Sequence, residues 1–168
     1  RSSVIGYVLK DGPAATASIP LLPGDRILAI DNQAVVSFGG PRHSVVEAIV
    51  FSTGEKIQFD LERTRADGTI ELITTLIRPR KNEITELREV GIVPAERLLI
   101  GRVLPNSPAE TAGLKPGDEL IALEGRRMYS RAQFIYAISD SGGRSLELSY
   151  IRDGAGARVQ VTPEVPTG

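Results

Sequence analysis

The chain has no cysteine and no tryptophan, and only one histidine and one methionine. Without thiols it can build neither a disulfide framework nor a thiolate metal site, and the absence fits reducing and oxidising compartments equally. Aromatic residues are few, four Tyr and four Phe, so a core must come mainly from Ile, Leu and Val. No apolar run approaches the roughly 20 residues that a membrane-spanning helix requires. The polar start Arg1-Ser2-Ser3 lacks the pattern of a signal peptide, so the chain as given reads as soluble. Nor is there an excess of one charge: 20 basic residues face 21 acidic ones, for a formal charge of −1. That removes the footprint with which nucleic-acid binders neutralise phosphates, and DNA and RNA are not expected partners.

What the chain does have is turns and apolar residues. Seventeen glycines and eleven prolines in 168 residues, 41% hydrophobic, point to many short elements around a core. The length suits one large domain or two small ones, and an internal repeat decides for two. Residues 5–17, IGYVLKDGPAATA, align with residues 100–112, IGRVLPNSPAETA, with 8 of 13 positions identical. After a two-residue difference in length the match resumes, with Pro23-Gly24-Asp25 through Ile30 opposite Pro116-Gly117-Asp118 through Leu123.

Each copy reads as a short apolar strand, a Pro-Ala turn into a small-residue helical turn, a Pro-Gly-Asp turn and a second apolar strand. A polar turn follows, and then helical spacing. Ser44 is placed to cap a helix carrying Val45, Ile49 and Val50, and Ser130 one carrying Phe134, Ala137 and Ile138 on one face. Gly54 and Gly142-Gly143 end these helices. Two strands close each copy, Ile57, Phe59 and Leu61 alternating with polar residues before Asp67-Gly68 and Ile70–Ile77. Leu146, Leu148 and Tyr150 alternate likewise before Asp153-Gly154 and Val159–Val161. The charged stretch Arg78–Glu83 reads as the join, giving domains at residues 1–83 and 84–168.

The order of elements, with Ser107-Pro108-Ala109 through Gly113-Leu114-Lys115-Pro116-Gly117-Asp118, resembles the bacterial, circularly permuted PDZ domain. The resemblance covers nearly the whole chain. It implies an α+β, mostly β fold of two PDZ-like, partly open barrels or sandwiches, each with a short and a longer helix. In that family an extended peptide adds a strand beside a carboxylate-binding loop and is selected by pockets against a helix. Transferred to this sequence, Glu89, Val90, Gly91, Ile92 and Val93 would form the loop and peptide-pairing strand of the second domain. Arg131, Phe134, Ile135 and Ile138 would line its facing helix. The first copy begins at Val4-Ile5-Gly6, so its equivalent loop and strand would lie before Arg1, and its groove is expected to be incomplete.

A PDZ pair entered through Val-Gly-Ile-Val-Pro is most similar to the extracytoplasmic insert of bacterial site-2-type intramembrane zinc metalloproteases, which act in regulated intramembrane proteolysis. The resemblance implies a non-catalytic, substrate-gating region on the periplasmic side of an inner membrane, within a membrane-embedded parent. Its partners would be protein or peptide C-termini, or the ectodomains of membrane-protein substrates. Zinc belongs to the parent: the protease motif His-Glu-x-x-His is absent, His43 being followed by Ser44 with no second histidine. There is likewise no Gly-x-Ser-x-Gly elbow. Two alternatives stand beside this reading, the PDZ tail of a trypsin-like periplasmic serine protease and chaperone, and a steric size filter or docking scaffold with no peptide ligand.

Overall fold

The computed structural model describes residues 2–164. The chain divides into two compact units, residues 1–95 and 96–168, so the division lies between Ala95 and Glu96 and not between residues 83 and 84. The reason is physical: residues 92–94 return to the first strand of unit 1 and pair with it, and a segment belongs with the core it closes.

Unit 1 runs β1 (Ile5–Val8), α1 (Pro13–Thr16), β2 (Arg26–Ile30), β3 (Gln33–Ala34), α2 (Val45–Val50), β4 (Ile57–Thr64), β5 (Ile70–Ile77), β6 (Arg80–Lys81), β7 (Arg88–Glu89) and β8 (Ile92–Pro94). Its main sheet is antiparallel in the order β3-β2-β4-β5, with β1 paired to β8 and β6 to β7. Period-two alternation sets the sheet's buried face. Ile57, Phe59 and Leu61 on β4 stand opposite Ile77, Thr75 and Ile73 on β5, and all six are buried. Ile70, Leu72 and Leu76 on the same strand stay exposed. Fully burying a side chain such as Phe59 contributes about 1.5–3 kcal/mol, so this row contributes substantially to the stability of unit 1.

Unit 2 runs β9 (Leu98–Leu99), α3 (Pro108–Thr111), β10 (Glu119–Leu123), β11 (Arg126–Arg127), α4 (Arg131–Asp140), β12 (Leu146–Arg152) and β13 (Ala155–Val161). The antiparallel order is β11-β10-β12-β13, with β9 also paired to β10. The β12–β13 hairpin turns through Asp153 and Gly154, both at positive φ, the pairing favoured where a two-residue turn must match strand twist. The chain is thus mostly β with short helices, as expected, in several sheets and with no closed barrel among the described residues.

Both caps form. Ser44 Oγ accepts the Glu47 N–H at 3.1 Å, and Ser130 Oγ accepts the Gln133 N–H at 3.1 Å, each satisfying a helix-end donor that would otherwise lack a partner. On α4, Phe134, Ala137 and Ile138 pack against the unit 2 core. α2 stops at Val50 with Phe51 as its C-cap, earlier than Gly54.

The Pro-Gly-Asp turns carry an ion pair repeated in both units. The Asp25 carboxylate accepts the Leu22 N–H at 2.8 Å and two bonds from the Arg63 guanidinium at 2.9 Å, while Arg63 also reaches the Pro20 carbonyl. In unit 2, Asp118 accepts the Lys115 N–H and two bonds from Arg152, which also reaches the Gly113 carbonyl. Both aspartates are about 1% exposed, so the guanidinium replaces the water each has lost. Chiefly through the Arg152 hydrogen bonds, the Asp118 carboxyl is held down at about 2, against an ordinary 3.8.

Two outcomes are expected. Arg63→Met leaves the buried Asp25 carboxylate without its guanidinium and lowers stability by about 2 kcal/mol, read by equilibrium urea unfolding. Because the Asp118 value is lowered on folding, its contribution is fully present above the unfolded value and is lost as pH falls through 3.8 towards 2. Unit 2 should therefore lose stability across that acid window, and Asp118→Asn should flatten the dependence, as followed by circular dichroism against pH.

Candidate functional site

β8 closes unit 1 and forms one wall of its groove. Ile92 stands opposite Val8, Val93 opposite Tyr7 and Pro94 opposite Ile5, with a bulge between Ile5 and Tyr7. Just before β8 the chain turns inward. The Val90 carbonyl accepts the Ala14 N–H and the Gly91 carbonyl the Leu9 N–H, both at 2.9 Å, and the Val90 side chain is buried in the unit 1 core. With their carbonyls spent on the core, the Val90 and Gly91 N–H groups have no hydrogen-bond partner among the described residues. Gly91 has φ +79, and a Cβ built on it would lie 3.4 Å from Gly12 Cα and from Leu9 Cβ. The contacts are ordinary van der Waals distances, so the left-handed turn explains why glycine stands there.

The second wall is α2. A small cavity of about 170 Å³ lies between the strand and this helix, lined by Leu9, Phe38, Val45, Ile49, Val90 and Ile92 among others. Around its mouth the charged groups are already engaged. The Arg88 guanidinium donates to the Ser52 and Gly54 carbonyls just beyond α2, where a cation also complements the negative end of the helix. The Glu89 carboxylate is held by Arg80 at 3.0 Å and by Asn82 at 3.2 Å. The other edge of β8 carries no strand among the described residues, because its sheet consists of β1 and β8 alone.

The structure divides the residues named from sequence into two sets. Glu89, Val90, Gly91, Ile92 and Val93 lie together in unit 1, facing α2 and not the helix of unit 2. Arg131, Phe134, Ile135 and Ile138 lie on α4 in unit 2. There Phe134 and Ile138 turn to the core and line an apolar opening of about 400 Å³, while Arg131 and Ile135 face solvent. The first copy is therefore closed by a strand from its own C-terminal end, β8 paired with β1. The residues that sequence reasoning missed are Leu9, Phe38, Val45, Ile49 and Arg88. The signal that could have found them is the repeat itself. Its second copy starts at Ile100, so residues 84–95 close the first copy and do not open the second.

Zinc has no ligand set here. The chain has one histidine and no cysteine, and among the described residues no group of three or more His, Asp or Glu could hold a metal ion. No helix among them is long and apolar enough to cross a membrane.

Comparison with known proteins gives the class. Residues 99–152 match the PDZ domain family, so unit 2 carries a PDZ domain. Over 95% of its length the chain is 26% identical to a putative zinc metalloprotease of Neisseria meningitidis, covering 35% of that relative. It is 26% identical to the regulator of sigma-E protease RseP of Escherichia coli, over 98% of the chain and 37% of the relative. It is 36% identical to the zinc metalloprotease RasP of Geobacillus kaustophilus, over 44% of the chain and 18% of the relative. A DegP-like periplasmic serine endoprotease of Marinomonas is 27% identical over 82% of the chain and 29% of the relative. The chain thus spans between 18% and 37% of the length of these relatives, and a non-catalytic PDZ region fits both its sequence and its fold.

The positive φ at Gly91 makes a paired substitution informative. Gly91→Ala should cost about 1–2 kcal/mol through the left-handed backbone. Gly101→Ala, where a Cβ meets nothing within 4 Å, should cost under about 0.5 kcal/mol. Urea unfolding of the two variants side by side checks this.

Proposed function

We propose that the chain is the substrate-gating PDZ region of a site-2-type intramembrane zinc metalloprotease, placed on the extracytoplasmic side of the membrane. In this reading unit 1 is a second domain of PDZ type. Its groove, between β8 and α2, takes an extended protein C-terminus, either a free peptide or the end of a substrate ectodomain.

One observation carries the reading. β8 offers an open edge opposite an apolar helix face, and beside it the Val90 and Gly91 N–H groups have no hydrogen-bond partner among the described residues while both carbonyls are bonded within the unit. Such an edge adds a strand by backbone bonding, and two adjacent free amides suit an anionic terminus. Arg88 adds a cation at the same end of the groove. Glu89 has a supporting role, keeping the β6–β7 hairpin closed through Arg80 and Asn82 so that Arg88 reaches α2. The terminal side chain of the peptide would enter the cavity against Val45 and Ile49.

The similarity to the DegP-like relative supports a second reading, in which the same groove belongs to the PDZ tail of a periplasmic serine protease. The groove chemistry is common to both parents, so the test of the groove does not depend on which one is correct. A scaffold that excludes bulky ectodomains and binds no C-terminus is the third reading.

Heteronuclear NMR titration with peptides ending in an apolar residue, each paired with its amidated form, separates reader from filter. The reader predicts shifts at Val90–Ile92 and along α2 that weaken about tenfold or more on amidation, the loss of one charged hydrogen-bonded contact. Arg88→Ala should weaken the free-acid peptide more than the amide. Shifts that ignore amidation, or none with any peptide, would sink the carboxylate-reading groove in favour of the filter.

A further inference from the structure

α2 has two flanks, and the groove beside β8 uses only one of them. Val45 and Ile49 turn to the core and to that groove. Ser44, Glu47, Ala48 and Phe51 are spaced i, i+3, i+4 and i+7, so they form a second stripe on the opposite flank. This stripe lines a cavity of about 470 Å³ whose other wall is the turn from β2 into β3. The inner wall is apolar, from Ile30, Val35 and Ala48. Phe51 is 77% exposed on the outer side.

Glu47 is the member of the stripe that the fold does not account for. It stands three residues after the cap Ser44, where a capping box would turn its carboxylate back to the Ser44 N–H. That bond is not made. Among the described residues the Glu47 carboxylate takes no hydrogen bond and no ion pair. Its Oε2 is closed off from solvent, and it is the only such buried side-chain atom without a partner among the described residues. An oxygen in that state is unfavourable until a donor reaches it. Arg42 and His43 also line the cavity, but both are exposed and neither bonds to Glu47. Asp31 adds a second carboxylate, fixed in place by the Gln58 N–H at 2.9 Å. Two carboxylates against one guanidinium leave the cavity short of positive charge.

We infer that this cavity is a binding site for an organic cation, an ammonium or guanidinium group on an aliphatic stem. The charged head donates to Glu47, whose half-buried side chain turns its unpartnered oxygen to it. The stem lies along Val35 and Ala48, and the Phe51 ring covers the charge from the outer side. A bare metal ion does not suit the site, since no group of three or more His, Asp or Glu among the described residues could hold one. A lysine or arginine side chain of a polypeptide and a free alkylamine share the required chemistry. The site lies on the far flank of α2 from the groove, so it stands whether or not that groove reads a carboxylate.

Heteronuclear NMR titration of the 168-residue chain tests it with two pairs of probes: butylammonium against butanol, and acetyl-Gly-Lys-Gly-amide against its Nε-acetylated form. Each charged probe should shift the amides of residues 44–48 and 51, and its neutral counterpart should bind at least about tenfold more weakly. Glu47→Gln keeps the side chain's length and should weaken the charged probes by about tenfold or more. Phe51→Ala, which removes an exposed ring, should weaken them about two- to fivefold. A lysine peptide that binds about tenfold tighter than butylammonium assigns the site to a polypeptide side chain; equal affinities assign it to a free amine. The inference is overturned if no charged probe shifts these residues, if the neutral probes bind as well, or if Glu47→Gln changes nothing. It is overturned too if the charged probes bind only after Arg42→Gln, which would make Arg42 the cavity's own cation.

Discussion

The antiparallel pairing of Ile92–Pro94 with Ile5–Val8 is the contact on which the rest of unit 1 depends. It draws the last segment of the unit back to its first strand, buries Val90 beside Ile5 and Ala14, and turns two carbonyls inward at once. The same act creates the groove. The carbonyls of Val90 and Gly91 are committed to the core, their amides have no partner among the described residues, and the free edge of β8 lies opposite α2. Closing the fold and forming the groove are one event.

The second constraint is electrostatic and is written twice. Each Pro-Gly-Asp turn buries a carboxylate and matches it with an arginine from the strand of the closing hairpin, 38 residues away in unit 1 and 34 in unit 2. A buried carboxylate left alone would cost more than the pair contributes, so the pairing fixes where β4 and β12 sit against their turns more than it adds net stability. That Arg63 and Arg152 each also take a turn carbonyl, from Pro20 and Gly113, keeps both the turn and the hairpin in register.

The local features were legible in the sequence because local chemistry fixes them. Ser44 and Ser130 had to cap, since a serine before a helical apolar pattern satisfies a helix donor. Asp153-Gly154 had to turn, since few residue pairs tolerate positive φ twice in succession. The alternation of Ile57, Phe59 and Leu61 had to be a strand with one buried face. The segment Glu89–Val93, with its glycine between apolar residues, was visible in the sequence too. What was misjudged was the unit to which they belong: the charged stretch Arg78–Glu83 looked like a linker, but it opens a hairpin whose second strand leads back to β1.

By itself, then, the sequence determined the repeat, the caps, the turns, the mostly β class and the hydrophobic-glycine-hydrophobic segment Val90–Ile92, all of which rest on spacing and on the intrinsic preferences of neighbouring residues. Only the tertiary structure decided that β8 closes the unit that precedes it, that α2 and not α4 faces Gly91, and that Phe134 and Ile138 border an apolar opening. These are pairings between distant segments. Hydrogen bonds between β1 and β8 join residues more than 80 positions apart, and nothing in the local pattern of either strand names its partner.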